Sequence, residues 1–390
     1  MNESYFCFMR SQGYPIIIFL IWMLAGCGSG VLNPSGEKHE PGSKSASSHL
    51  PEFAKGFLIE PVEEGFMLKL FDPWNPGKEL IRYLVSDAST SASGSYINTI
   101  KPINSRIVVA STTHVAFLSA LGASAYLAGS TNPARICDPE VSERFHRGDF
   151  LNLGRDLDFN LEALVMAAPD LIMQTGFEGQ LSRDSRLHEL GIPVLYFHEW
   201  MEPTPLGRTE WIKVAGLVTG KMPEADSLFN IIRDQYLWLV SMAGKRLSEP
   251  MVMSGNDFKG TWYMPGGNNY MARLFQDAGF NYPFERFKGS ASMALGFESV
   301  LEMFDRSDIW IGVTSRSIKE LVELDSRYKR FNPVITGRVY HVYKRENHTG
   351  GNDLWERGVV RPDEMLEDLI RIGHPGLLKD SLLHYYQKLD

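Results

Sequence analysis

The feature that most limits what this chain can fold into is a strandless segment, residues 209–244, with strand and helix signals alternating on both sides of it. Thr219-Gly220 can break the segment and Pro223 suits a first helical turn. From there Ala225, Leu228, Phe229, Ile232, Tyr236 and Val240 recur at helical spacing, and one long helix is the simplest reading. Before it, short apolar runs at 107–110, 171–174 and 194–197 are separated by helical patterns at 114–121, 161–168 and a stretch ending at Leu190-Gly191, where glycine suits the C-cap. After it, runs at 251–254, 261–264, 309–313 and 339–343 alternate with helical patterns near 270–278, 299–304 and 362–372. Such alternation predicts βαβ units around parallel sheets, here as two α/β lobes.

An internal echo supports two lobes. Phe159-Asn160-Leu161-Glu162-Ala163-Leu164, followed by Ala168-Pro169-Asp170-Leu171-Ile172-Met173, is similar to Gly296-Phe297-Glu298-Ser299-Val300-Leu301 followed by Ser307-Asp308-Ile309-Trp310-Ile311. Each copy places one acid at a helix start and then a buried strand, although the second has two extra residues before its Asp.

At 390 residues, 44% of them hydrophobic, the chain is long enough for two or three folding units with a sizeable core. Its net charge of -8, with acids and bases interspersed, gives no basic stripe, so nucleic acid is not an expected partner. At the N-terminus Arg10 precedes an apolar run at 16–24, too short to span a bilayer comfortably, and then Leu24-Ala25-Gly26-Cys27. These four residues resemble the bacterial lipobox, which implies acylation of Cys27 and cleavage just before it; a cleaved secretory signal or an uncleaved anchor are the alternatives. Cys7 would leave with the signal, so Cys137 stands alone and no internal disulfide is expected. Residues 28–50 are Gly, Ser, Pro and Lys with almost nothing to bury and read as a flexible tether. The expected plan is a signal at 1–27, a tether at 28–52, a first lobe at 53–208 opening with an antiparallel edge hairpin within 53–93, a connecting helical segment at 209–246 and a second lobe at 247–390.

Three blocks resemble the periplasmic binding proteins that serve iron-siderophore, haem and cobalamin ABC importers: Arg106-Ile107-Val108-Val109-Ala110 with the helix after it, residues 160–173, and residues 295–313. The likeness spans roughly 100–375. It implies two Rossmann-like lobes joined by a long rigid helix, with ligand held between them, small lobe motion, no catalysis, no cofactor and no resident metal. The implied partners are an ABC permease and ATPase complex, an iron chelate or cobalamin, and a membrane reached through the lipid anchor, the protein acting as a periplasmic monomer. In such proteins one Glu at the tip of each lobe meets Arg residues of the permease, and Glu162 and Glu298 match those positions. On its own terms an acid in a first helical turn also simply complements the helix dipole.

Asn352-Asp353-Leu354-Trp355-Glu356-Arg357 resembles a cleft segment of the cobalamin-binding member, which implies ligand-facing Asp353 and Arg357; Trp355 does not align with the Trp of that segment. Other cleft candidates follow from ligands sitting beyond the carboxyl ends of parallel strands. Phe177, Trp200 and Trp262 offer planes for a corrin, porphyrin or catecholate, and Arg135, Lys288 or Arg357 could neutralise carboxylates. Each aromatic could equally pack a core or hinge. His114 could be an axial ligand to haem iron or cobalt, or a hydrogen bonder at a helix start.

The mature chain has no GxSxG elbow, P-loop or G-x-G-x-x-G opening a helix, and His188-Glu189 and His198-Glu199 lack a second His at helical spacing. The rival readings are an exported α/β enzyme using acids and His198 in the cleft, and a surface module that scavenges ligand for an outer-membrane receptor.

Overall fold

The computed structural model describes residues 50–87, 98–155, 158–289, 291–379 and 381–390; Cys7, Cys27, the signal and nearly all of the tether lie outside the described residues. Strands Phe57–Val62, Gly65–Phe71 and Glu79–Val85 form an antiparallel meander, and Asn98–Ile100 adds in parallel, so the expected hairpin is part of a four-stranded sheet. Phe57, Ile59, Leu68 and Leu70 are buried and their neighbours face outward, the period-two pattern of a one-sided sheet.

Two buried carboxylates fix the chain as it enters this sheet. Glu210 accepts the backbone N–H groups of Glu52, Phe53 and Ala54 at 2.8, 2.7 and 2.8 Å and the Lys213 ammonium at 2.8 Å. Glu202 accepts the N–H groups of Lys55 and Gly56 and the Trp211 indole, at 3.0, 2.8 and 3.1 Å. With their lone pairs used in this way, the acids tolerate burial.

The first lobe holds a five-stranded, all-parallel sheet in the order Val194–Phe197, Leu171–Thr175, Ile107–Val109, Leu127–Ser130, Leu151–Asn152. Its central runs are buried at every position, as strands covered on both faces must be. Leu127–Ser130 carries no strand signal, because Leu-Ala-Gly-Ser has neither β-branched nor aromatic residues. It is a strand because Gly129 lets the neighbouring chain approach: a Cβ there would lie 2.8 Å from the Leu151 carbonyl oxygen.

The long helix expected after Thr219-Gly220 is Met222–Ala243, and two shorter helices, Pro205–Glu210 and Ile212–Val218, precede it. Gly220, at φ +70°, turns the chain before the long helix, as a non-glycine residue rarely does. That helix, 22 residues or about 33 Å long, carries a buried stripe. Ala225, Phe229 and Ile232 belong to the first lobe's core, and Tyr236, Leu239 and Ala243 to the second's. A single rod is thus embedded in both lobes.

In the second lobe Val252–Ser254, Ile309–Val313 and Val339–His341 pair in parallel and Gln387–Lys388 closes the edge antiparallel. The sequence pattern groups 261–264 with these strands. Thr261–Met264 instead forms a separate antiparallel sheet with Asp257–Phe258 and Met293–Leu295. Gly255 and Gly260, at φ +77° and +86°, reverse the chain too soon for a crossover, and Trp262 and Met264 are buried while Tyr263 points out.

The trio Ile107–Val109, Leu171–Thr175, Val194–Phe197 has the same order and sense as Val252–Ser254, Ile309–Val313, Val339–His341. In each the middle strand follows the helix that begins with the echoed acid, Leu161–Ala167 or Phe297–Phe304. The fold is therefore α/β with two lobes and parallel sheets, as the sequence predicts.

Candidate ligand cleft

The lobes meet where the first-lobe loop 134–138 faces the second-lobe segment 345–361. Glu356 is buried there; its two carboxylate oxygens accept the N–H groups of Cys137 at 2.8 Å and Asp138 at 2.7 Å. Burial is the main cause that pushes this acid up to about 8, against the two N–H donors, which favour the carboxylate. Asn347 donates its side-chain amide to the carbonyls of Ala134 and Ile136 at 3.1 and 3.2 Å, and Thr349 donates to Ala134 at 2.5 Å. Gly351 lies so close that a Cβ would be 1.8 Å from the Arg135 carbonyl oxygen. Behind this seam the helix Arg357–Val360 places Val359 and Val360 in the first lobe's core, and Thr209 donates its hydroxyl to the Val359 carbonyl at 2.8 Å.

A cleft of about 310 Å³ opens beside the seam, lined by Cys137, Asp138, Arg345, Asp353, Glu356, Arg357 and Arg361 among others. Its cations are partnered within the second lobe: Arg345 to Asp353 at 2.7 Å, Arg357 to Glu364 at 2.6 Å, Arg361 to Asp363 at 2.6 Å. Desolvation raises Asp353, while Arg345 and Arg357 oppose that shift. Burial also pushes the Cys137 thiol up to about 12, with Glu356 adding to the effect, so it is not an activated nucleophile.

A second concentration of chemistry lies at the carboxyl ends of the first-lobe strands. Trp200 and Phe177 have ring centroids 5.3 Å apart, Trp74 of the N-terminal meander lies 6.5 Å from Trp200, and the Trp200 indole donates to the Gly176 carbonyl at 3.1 Å. His198 sits 5.7 Å from the Trp74 ring and is buried, which drives its pKa down to about 4 despite Asp72 nearby, so it is neutral near pH 7. Gly176 makes room for it, since a Cβ would lie 2.1 Å from His198 Nε2. Trp74, Phe177 and His198 line a hollow of about 240 Å³. Arg208 ties this region to the second lobe: it donates to the Trp200 carbonyl at 2.6 Å, and its guanidinium lies 4.1 Å from the centre of the Tyr270 ring.

The eight ligand-facing candidates are scattered. Phe177 and Trp200 stand together, and Asp353 and Arg357 line the same cleft. Arg135 and Lys288 are exposed, each engaged through its carbonyl oxygen. His114 is fully buried against Phe197, with burial pushing it down to about 3. Trp262 is fully buried in the second lobe's aromatic core, 5.3 Å from Trp310, with its indole donating to the Ser254 carbonyl at 2.8 Å. In this conformation neither His114 nor Trp262 has a free face. Sequence reasoning missed Trp74, Arg208, Arg345 and Glu356. Glu162 and Glu298 are both exposed, with Arg327 approaching Glu298 to 3.7 Å. Among the described residues, no group of three or more His, Cys, Asp or Glu side chains is arranged to hold a metal ion, and no helix is long and apolar enough to cross a membrane.

The family model for periplasmic binding proteins matches residues 107–346, well over half of the chain. The chain belongs to the periplasmic binding protein family, whose members of this ABC-transporter type bind substrates and are not enzymes. An uncharacterized lipoprotein of Methanocaldococcus jannaschii is 25% identical over 295 residues, 73% of this chain and 68% of that protein. The fold is shared with the periplasmic heme-binding protein RhuT of Roseiflexus sp. RS-1, at a TM-score of 0.54 and 16% identity over 70% of this chain and 99% of that one. It is shared too with the petrobactin-binding protein YclQ of Bacillus subtilis, at 0.52 and 18% over 72% and 94%. The matched span begins after the four-stranded sheet.

Proposed function

We propose that this protein is the lipid-anchored receptor of an ABC importer for a bulky metal chelate, an iron siderophore, haem or a cobalamin, held between the lobes and handed to the permease unchanged. The observation that carries this reading is the duplicated strand trio with an exposed acid opening the helix before each middle strand, Glu162 in one lobe and Glu298 in the other. Two such anionic points, one per lobe, orient a docking surface and speed encounter, although each contact adds little affinity alone. Between the lobes the chemistry is mixed. Trp74, Phe177 and Trp200 offer aromatic planes to a macrocycle or catecholate, and Arg345, Arg357 and Arg361 can exchange their present partners for ligand carboxylates. A rod embedded in both cores limits closure to a small hinge. Lipidation at Cys27, with residues 28–52 as tether, keeps the receptor near its permease in the periplasm.

The test is to incubate the protein with haem, cyanocobalamin and several ferric siderophores, desalt it, and record the visible spectrum and the mass of the released compound. One class is retained at one per chain and recovered intact. Retention of none, or recovery of an altered compound, refutes the reading.

A further inference from the structure

Away from the aromatic hollow, two histidines face each other across the lobe seam. His146 lies near the end of the first-lobe helix Pro139–Arg147, and His348 lies in the second-lobe loop that follows Val339–His341. Both are exposed and their ring centroids are 6.2 Å apart. We propose that His146 and His348 form a two-imidazole site for a divalent transition-metal ion, which bridges the lobes.

Three features of the geometry support this. The Nδ1 of His146 lies 2.7 Å from the Ser142 carbonyl oxygen; a carbonyl only accepts, so Nδ1 carries a proton and Nε2 is the ring nitrogen left to bind a metal. A carbonyl that fixes the tautomer in this way is the usual outer-shell partner of a metal-binding histidine. The loop bearing His348 is held in place: Asn347 and Thr349, its two neighbours, both hydrogen-bond to first-lobe carbonyls, and Gly351 is pressed against Arg135. The backbone at His348 is therefore set relative to the other lobe before any ion arrives. The separation also fits: with metal–nitrogen bonds of about 2.1 Å, two imidazole centroids around one ion lie roughly 5 to 6.4 Å apart.

Imidazole selects Zn²⁺, Ni²⁺ or Cu²⁺ over Mg²⁺ or Ca²⁺. Glu143, three residues before His146, is engaged by Arg147 at 3.1 Å, so water completes the coordination sphere. The bonds from Asn347 and Thr349 to residues 134–136 close the gap beside the two rings, and a macrocycle inserted there would have to break them. An ion at this seam favours the conformation with the lobes in contact, and it does so at a place separate from the aromatic hollow.

The experiment is calorimetric titration of the full chain with Zn²⁺ and with Ni²⁺, together with melting curves with and without each ion. The expected result is one ion per chain, a higher melting temperature with ion, and affinity reduced about tenfold or more in both His146→Ala and His348→Ala, with the double variant binding no more tightly than either single one. Both side chains are exposed, so metal-free melting stays unchanged and reports that the variants fold. Wild-type affinity in either variant, or two ions per wild-type chain of which each single variant loses one, would overturn the proposal.

Discussion

The two lobes share a scaffold and differ in what they build on it. Both carry the parallel trio with an acid-led helix before its middle strand. In the first lobe Leu127–Ser130 and Leu151–Asn152 continue the parallel sheet, leaving the aromatics Phe177 and Trp200 half-exposed at the strand ends. In the second lobe the chain leaves the sheet for an antiparallel hairpin, and Trp262 turns inward to pack with Trp310, Tyr328 and Phe331. The shared part suits a common partner that meets both lobes alike, and the divergent parts suit a ligand that meets them differently. On the proposed reading half-exposed Trp200 therefore serves recognition, whereas buried Trp262 serves stability.

The sharpest break of that contrast is a pair of truncations. Trp262→Ala should cost about 3–5 kcal/mol in chemical denaturation, because a fully buried indole leaves a cavity. Trp200→Ala should cost far less stability while weakening ligand binding in the desalting assay, and the reverse pattern would exchange the lobes' roles. Arg208→Ala should lower stability by roughly 2–4 kcal/mol, since it removes the Tyr270 contact and the cation beside buried Glu199 and Glu202. Loss of less than about 1 kcal/mol would mean that the lobes are not joined through this residue.

Glu356 gives a smaller, pH-dependent effect. Its folded-state value, about 8, lies above its ordinary 4.5, so the folded chain holds this proton more tightly than the unfolded chain does. That stabilisation is full below the ordinary value and is lost as pH rises towards the folded value. Glu356→Gln should therefore flatten the fall in stability between about pH 5 and pH 8 by roughly 1 kcal/mol or more. An unchanged slope would show that the seam does not hold the proton.

What the sequence discloses follows the same division. The trio was legible because Ile107-Val108-Val109 and Ile309-Trp310-Ile311 are apolar at successive positions, which only a doubly covered strand requires. Leu127–Ser130 was not, since its strand character comes from Gly129 admitting a neighbour rather than from its own side chains. Asp353 and Arg357 were singled out by resemblance, yet Glu356 between them makes the contact across the lobes. Its partners are backbone N–H groups 219 and 218 residues away, which leave no side-chain signature. Trp74 was missed for a similar reason: it reaches the hollow from the meander, through long-range packing that no local pattern records.

The duplicated acids test the account most directly. Uptake of the retained ligand should be compared in cells carrying wild type and the Glu162→Arg, Glu298→Arg double variant, alongside the affinity of each purified protein. The account predicts loss of uptake with affinity unchanged. Full uptake by the double variant, or loss of affinity with uptake retained, would contradict it.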